Sequence, residues 1–245
     1  NPSLLGQKVK LVDPGDASEY SRVHKKYHKI LESYRKKLEF YDIFLVDSET
    51  NDIVYSVFKE ADFATNLSSG PFREANIAKA FNSANVLEDP NGVAFTDFQY
   101  YEPSYGSPEA FIASPIFDGE KRIGVLIFQL SVEKINAIMT GGGSWQEDGL
   151  GLSGETYLVA PDFHMRSVSR FLTEDPPGYF DALRKLGYQN EKIEDMRNFG
   201  TSILLQEVRT NATIQALEGI TGTDVIEDYR GVSVLSSYEP IRFGD

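Results

Sequence analysis

The densest apolar patterning in the chain lies in residues 92–131, GVAFTDFQYYEPSYGSPEAFIASPIFDGEKRIGVLIFQLS. Residues 92–101 are rich in aromatic and β-branched side chains. Residues 110–117 and 122–130 are short apolar runs divided by the turn Asp118-Gly119-Glu120-Lys121, so three consecutive strands are predicted. An even-numbered hairpin loop pairs Ser114 with Val125, Ile112 with Ile127 and Ala110 with Gln129 on one face. The other face then carries Phe111 with Phe128 and Ala113 with Leu126. Both faces are largely apolar, whereas an antiparallel hairpin with one wet face alternates polar and apolar positions. Each side of the sheet therefore needs a cover. Helices on one side and a ligand pocket on the other meet that need.

Upstream, Tyr20, Val23, Tyr27, Ile30, Leu31, Tyr34 and Leu38 fall at spacings of three and four, which predicts a helix to about residue 39, capped by Asp16 or Ser18. Its other face is basic, with Arg22, Lys25, Lys26, Lys29, Arg35, Lys36 and Lys37. His24 and His28 stand four apart, a spacing metal ligands use. No carboxylate occupies a matching helical position, so the pair reads as solvated. Residues 41–46 and 52–58 form a strand–turn–strand unit across the polar stretch 47–51, which lacks the glycine and distal glutamate of a calcium loop. A helix over 72–87 presents Ile77, Ala80, Phe81 and Ala84, and a short helix covers 132–139. Residues 1–15 read as irregular. Five antiparallel strands with helices on one side and a connector over the other make a PAS-like sandwich.

The glycine run within residues 140–144 reads as a linker, after which the pattern restarts in shorter form. Strands are expected at 155–160, 165–169, 223–228 and 232–240, with Pro176-Pro177 as a breaker and a helical segment at 192–208. The expected organisation is a segment and coupling helix at 1–40, a first module at 41–140 and a second at 141–245, the second cut short at its end. The fold class is α+β: a long N-terminal helix followed by two PAS-like modules, each an antiparallel sheet flanked by helices.

Composition narrows the function. The 245 residues carry a net charge of −13 with no basic stripe massed for phosphate, which disfavours nucleic acid and anionic lipid. Cysteine is absent, excluding disulfides, zinc–thiolate sites and a thiol nucleophile. That suits a compartment such as a bacterial periplasm. No apolar run reaches the length of a membrane span. Only His24, His28 and His164 offer imidazole bases, and neither Gly-x-Ser-x-Gly nor a phosphate loop occurs, so the chain is expected to be non-catalytic and to use no cofactor.

Three segments carry a resemblance. Residues 41–47 (YDIFLVD) with 52–59 (DIVYSVFK) resemble the first hairpin of double-Cache, or tandem PAS-like, sensor domains. Residues 154–160 (GETYLVA) with 165–167 (MRS) resemble the first hairpin of their membrane-proximal module, and 228–241 (DYRGVSVLSSYEPI) its later hairpin. Together they span nearly the whole chain in order. The resemblance implies an extracytoplasmic domain of a bacterial inner-membrane receptor, feeding a chemoreceptor, histidine kinase or nucleotide-cyclase output. It further implies a small metabolite, polar or carboxylate, in the distal module, and a homodimer through the N-terminal helix. Amino-acid-sensing members carry Arg-x-Trp-Tyr before the third distal strand. Here Arg73 has no such neighbours and Trp145 lies in the linker.

The candidate ligand residues follow from the predicted pocket. Arg73, at the start of the 72–87 helix, can grip a carboxylate beside backbone donors, or simply pair with Glu74. Asp97 interrupts an apolar strand and can hold an ammonium, or face solvent. Tyr100, Tyr101 and Tyr105 offer rings with polar tips, or serve as core and lid. Ser114 and Gln129 share a face with Ile112 and Ile127 and need a partner there, from a ligand, water or the protein itself. Arg166, Ser167, Ser169 and Arg170 form a smaller polar group in the second module. The alternative to sensing is a structural or interaction module that sets dimer geometry over a collapsed cavity.

Overall fold

The computed structural model describes residues 5–145 and 147–242. The chain divides after Lys134 into two compact units.

The first unit begins with a short helix α1 (Leu5–Lys8) and the long helix α2 (Glu19–Leu38). Ser18 caps α2 by accepting from the Ser21 amide at 3.1 Å, and Glu39, at φ 59°, closes it by donating to the Arg35 carbonyl. Strands β1 (Asp42–Asp47), β2 (Ile53–Ser56), β3 (Ala94–Tyr101), β4 (Ser107–Asp118) and β5 (Lys121–Gln129) form one antiparallel sheet in the order β2-β1-β5-β4-β3. Helix α3 (Asn76–Ala84) lies between β2 and β3 in sequence, and α4 (Val132–Met139) follows β5.

The β4–β5 register differs from the expected one by a residue. Asp118 pairs with Lys121 and Phe117 with Arg122, but Ile116 pairs with Gly124, leaving Ile123 as a bulge. Beyond it Phe111 faces Gln129, Ala113 faces Ile127 and Ser114 faces Leu126. A slip of one residue exchanges the faces of a strand. Ser114 and Gln129 therefore lie on opposite faces. Gly124 is required beside the bulge, because a Cβ there would meet the Val46 carbonyl oxygen at 2.9 Å.

One face carries Phe44, Val46, Phe111, Ala113, Val125 and Ile127, packed under Ile77, Ala80, Phe81 and Ala84 of α3 and Leu67 of the preceding connector. The opposite face buries Ile43, Tyr55 and Val57, with Leu31 of α2, Val9, Leu126 and Phe128 against them. So α2 covers one side, while α3 and the connector cover the other. Helix α3 starts four residues later than expected, since residues 71–75 are taken up in turns.

His24 and His28 are buried, contrary to the solvated reading. They lie on the face of α2 turned to the sheet. His28 Nε2 donates to the Val9 carbonyl at 2.6 Å, its Nδ1 lies 2.8 Å from the Tyr55 hydroxyl, and His24 Nδ1 lies 2.9 Å from the Val12 carbonyl.

The second unit is mainly helical: α5 (Arg170–Glu174), α6 (Pro176–Lys185), α7 (Asn190–Phe199) and α8 (Asn211–Leu217), with a hairpin of β6 (Gly222–Glu227) and β7 (Ser233–Tyr238). The expected four-stranded sheet is not formed. The 155–160 and 165–169 segments make a single bridge, Val159 to Met165, because Ser167 Oγ takes the Leu158 amide that a ladder would use. Pro176 does not break structure but opens α6, where its missing N–H costs nothing and Asp175 caps Gly178. Helix α7 ends at Gly200, φ 63°, well short of residue 208. Met165, Leu172, Tyr179, Phe180, Leu183, Ile193, Met196, Val208 and Tyr229 form this unit's core.

Candidate functional site

The register places four polar residues at one end of the α3-side face. Asp42 faces Gln129, Gln129 faces Phe111, and Glu109 and Tyr101 follow on β4 and β3. The connector after β2 adds Glu60 and Asp62, the turn after β3 adds Ser104, and α3 adds Asn76. Every one of these but Glu60 is buried.

Their hydrogen bonds form separate small groups. Tyr101 donates its hydroxyl to Asp62 Oδ2 at 2.6 Å. Glu60 accepts from the Tyr41 hydroxyl and from Ser104 Oγ, each at 2.9 Å. Gln129 Nε2 donates to Ser104 Oγ at 3.0 Å, and Asn76 Nδ2 donates to the Glu109 carbonyl at 2.6 Å. Asp42 is saturated by Ser56 Oγ and the amides of Ile43, Val57 and Phe58. Asp62 Oδ1, Asn76 Oδ1 and Gln129 Oε1 are buried without a donor.

Burial raises every carboxyl of the patch. Glu109 is pushed up to about 8 and Asp42 to about 7, while Asp62 and Glu60 move upward against the hydrogen bonds they accept. Tyr101 is raised by burial and then by Asp62. Burial of this kind disfavours the charged form of each of these acids.

Of the sequence candidates, the structure brings Tyr101 and Gln129 together here. Arg73 lies in the turn before α3 rather than at the helix start, half exposed, donating to the Gly70 carbonyl and standing 3.6 Å from Glu74. Asp97 is exposed and accepts from the Phe98 amide at 2.7 Å. Tyr100 and Tyr105 are 51% and 73% exposed. Ser114 donates to the Gly92 carbonyl on the α2-side face. The patch also contains Asp42, Asp62, Glu109, Glu60, Asn76 and Ser104, which sequence reasoning missed. Glu109 stands one residue before the apolar run expected at 110–117, and only the extension of β4 back to Ser107 brings it into the sheet.

In the second unit, Ser169 caps α5 and meets the Tyr229 hydroxyl at 2.7 Å, and Glu155 accepts from Ser169 and the Arg170 amide. Arg170 donates to the carbonyls of Gly151 and Gly154 and to Glu174. Arg166 is held by Asp162 at 2.9 Å and Ser167 by Leu158. These contacts tie loops to the core.

No family model and no curated protein matches the chain. Solved structures do. The ligand-binding domain of the Pseudomonas aeruginosa amino acid chemoreceptor PctC, in complex with GABA, is 13% identical over 96% of this chain and 80% of that one, at a TM-score of 0.48. The Campylobacter jejuni chemoreceptor Tlp3 domain with 4-methylisoleucine is 13% identical over 71% and 63%, at 0.44. The Vibrio cholerae histidine kinase DctB sensor domain is 13% identical over 58% and 51%, at 0.35. The chain thus spans about half the length of the DctB domain. Likenesses at this level assign neither a site nor a ligand.

Proposed function

We propose that this chain is the extracytoplasmic sensing portion of a bacterial membrane receptor, binding a small polar molecule at the buried patch of the first unit and passing the event to α2. The observation that carries this reading is Tyr41. Its hydroxyl donates to Glu60 in the patch, its amide donates to the Gln129 carbonyl at 2.9 Å, and its carbonyl accepts from Arg35 in the last turn of α2. One residue therefore joins the patch to the end of the long helix. A ligand shifts α2 only by as much as it prefers one arrangement of that joint. Missing cysteine and the double-Cache resemblance support an extracytoplasmic setting and a transmembrane output. No helix among the described residues is long and apolar enough to cross a membrane.

The exposed side of α2 presents Tyr20, Val23, Tyr27, Ile30, Tyr34 and Leu38, 45–55% exposed, in a near-heptad seam. This supports pairing of two copies along α2. Light scattering of the intact chain and of Tyr27→Lys, with and without a stabilising compound, tests both parts. A compound that raises the melting point and changes the dimer fraction supports the proposal.

A second reading, a module that sets receptor geometry without a ligand, is favoured by one observation. Phe44, Phe81, Tyr101 and Phe111 fill the space between α3 and the sheet, each no more than 1% exposed. A metabolite panel that leaves the melting point unmoved selects that reading.

A further inference from the structure

Lys59 is the one lysine among the described residues that the fold buries, at 8% exposed. Its backbone is held in the left-handed region, φ 54°, where its amide donates to Ser56 Oγ at 2.7 Å and its carbonyl accepts from Lys8 Nζ at 3.1 Å. The side chain turns back over the end of β2. Its Nζ reaches the Val57 carbonyl at 3.2 Å and lies 5.7 Å from the centre of the Tyr55 ring, on the α2 side of the sheet. Asp42 and Glu32 act on it from a distance, and among the described residues no carboxylate closes to an ion pair with it. An ammonium has three protons to place, and one carbonyl and a ring face satisfy them poorly. Burial holds Lys59 down to about 8, so neutral pH leaves on the order of a hundredfold more free amine here than on an ordinary lysine. A free amine is a nucleophile.

A proton acceptor shares the same neighbour. His24 and His28 lie 5.8 and 6.0 Å from the Tyr55 ring, and the charge of Lys59 acts on both. Both nitrogens of His28 are engaged, by Val9 and Tyr55. His24 Nδ1 donates to the Val12 carbonyl, which fixes the tautomer and leaves Nε2 a bare lone pair. That nitrogen is buried and has no partner. The cluster therefore holds one free amine and one unused base. With so little access, what reacts with the amine has to be small and uncharged, and it needs no room for a leaving group if it adds across a double bond. Carbon dioxide meets all three conditions.

We propose that Lys59 is a site of carbamate formation with carbon dioxide, and that His24 accepts the proton released. The Lys59 nitrogen lone pair attacks the carbon of carbon dioxide and an N–C bond forms. One C–O π bond opens onto oxygen, and an N–H proton passes to His24 Nε2. A carbamate and an imidazolium replace two neutral groups, so net charge and oxidation state are unchanged. The carbamate stabilises the imidazolium that a charged lysine opposes. Because His24 stands on α2 and Lys59 follows β2, the modification changes the contact between helix and sheet. It lies across the sheet from the polar patch, and its failure leaves the reading of that patch untouched.

The intact chain is equilibrated at about pH 8 with isotopically labelled bicarbonate, or with sodium chloride at equal ionic strength. Triethyloxonium then ethylates any carbamate, and digestion with mass spectrometry maps it. In wild type the occupancy of Lys59 exceeds that of every exposed lysine by about tenfold or more, with the N-terminal amine mapped on its own peptide. Lys59→Met, folded by circular dichroism, loses the corresponding carbamate signal in the carbon NMR spectrum. In wild type the His24 ring signals move toward the imidazolium form in bicarbonate, and in Lys59→Met they do not. His24→Gln keeps the amine and its Lys59 occupancy falls severalfold. Absence of label on Lys59, or equal labelling of Lys59 and the exposed lysines, overturns the site. Unchanged occupancy in His24→Gln overturns the role given to that histidine.

Discussion

The imidazoles of His24 and His28 stack with ring centroids 4.5 Å apart and planes 19° apart, between α2 and Tyr55 of the sheet. Burial holds both below the ordinary histidine value, and Lys59 acts on both in the same direction, while Glu32 opposes it at His28. A depressed histidine value means that the unfolded chain takes up protons first. Stability is then full above about pH 6.5 and is lost as pH falls below it. Melting points of the first unit measured from pH 8 to pH 5 will decline through that window. In His28→Gln the decline will be shallower.

Glu109 behaves in the opposite sense. Its folded value of about 8 lies above the ordinary 4.5, so the folded chain keeps a proton that the unfolded chain releases. Its contribution is complete below about 4.5 and is lost as pH rises toward 8. Glu109→Gln will therefore match wild type at pH 4.5 and be more stable at pH 8. Chemical denaturation at the two pH values checks this, and equal stability at both would contradict it.

Tyr101→Phe keeps the ring in the core and removes the hydroxyl that Asp62 Oδ2 accepts at 2.6 Å. Asp62 then has neither oxygen engaged by a side chain. A loss of about 1–3 kcal/mol is expected at neutral pH. The loss will shrink in the double variant with Asp62→Asn, and a double-mutant cycle measures the coupling.

Phe111 stands at the centre of the α3-side core, edge-on to Tyr101 at 5.2 Å and to Phe44 at 6.3 Å. Phe111→Ala will cost about 3–5 kcal/mol by opening a cavity. Hydrogen exchange will show the loss in β3–β5 and α3. Strong protection remaining there would argue that the core closes over the gap.

In the second unit, Glu155 accepts from Ser169, the Arg170 amide and the Tyr229 hydroxyl, all beside α5. Glu155→Ala leaves the Tyr229 and Ser169 hydroxyls without that acceptor. A loss of about 1–3 kcal/mol, seen in residues 154–230 by hydrogen exchange, is the expected outcome.

Much of the first unit was legible because its signals are local. The α2 periodicity, the Ser18 cap and the turn at 118–121 act over a few residues each, and they mark α2 and the β4–β5 hairpin. The second unit was less so. Alternating residues at 155–160 resemble a strand, yet the Leu158 amide goes to Ser167 Oγ, a choice that pattern alone does not show. The proline pair at 176 reads as a breaker by composition and serves as a helix start by position.

The candidate site shows the same boundary. Sequence by itself determined that the 92–131 stretch forms strands with two apolar faces, and that its few polar residues need partners. It singled out Tyr101 and Gln129 among them. Only the tertiary structure decided which face each occupies, because one bulged residue, Ile123, exchanges the two faces of β4 relative to β5. Only the fold, too, carried Asp62 and Glu60 from a connector onto Tyr101 and Ser104, about forty residues away in the chain. Side-chain hydrogen bonds across that separation depend on where whole elements pack, and no local pattern encodes them.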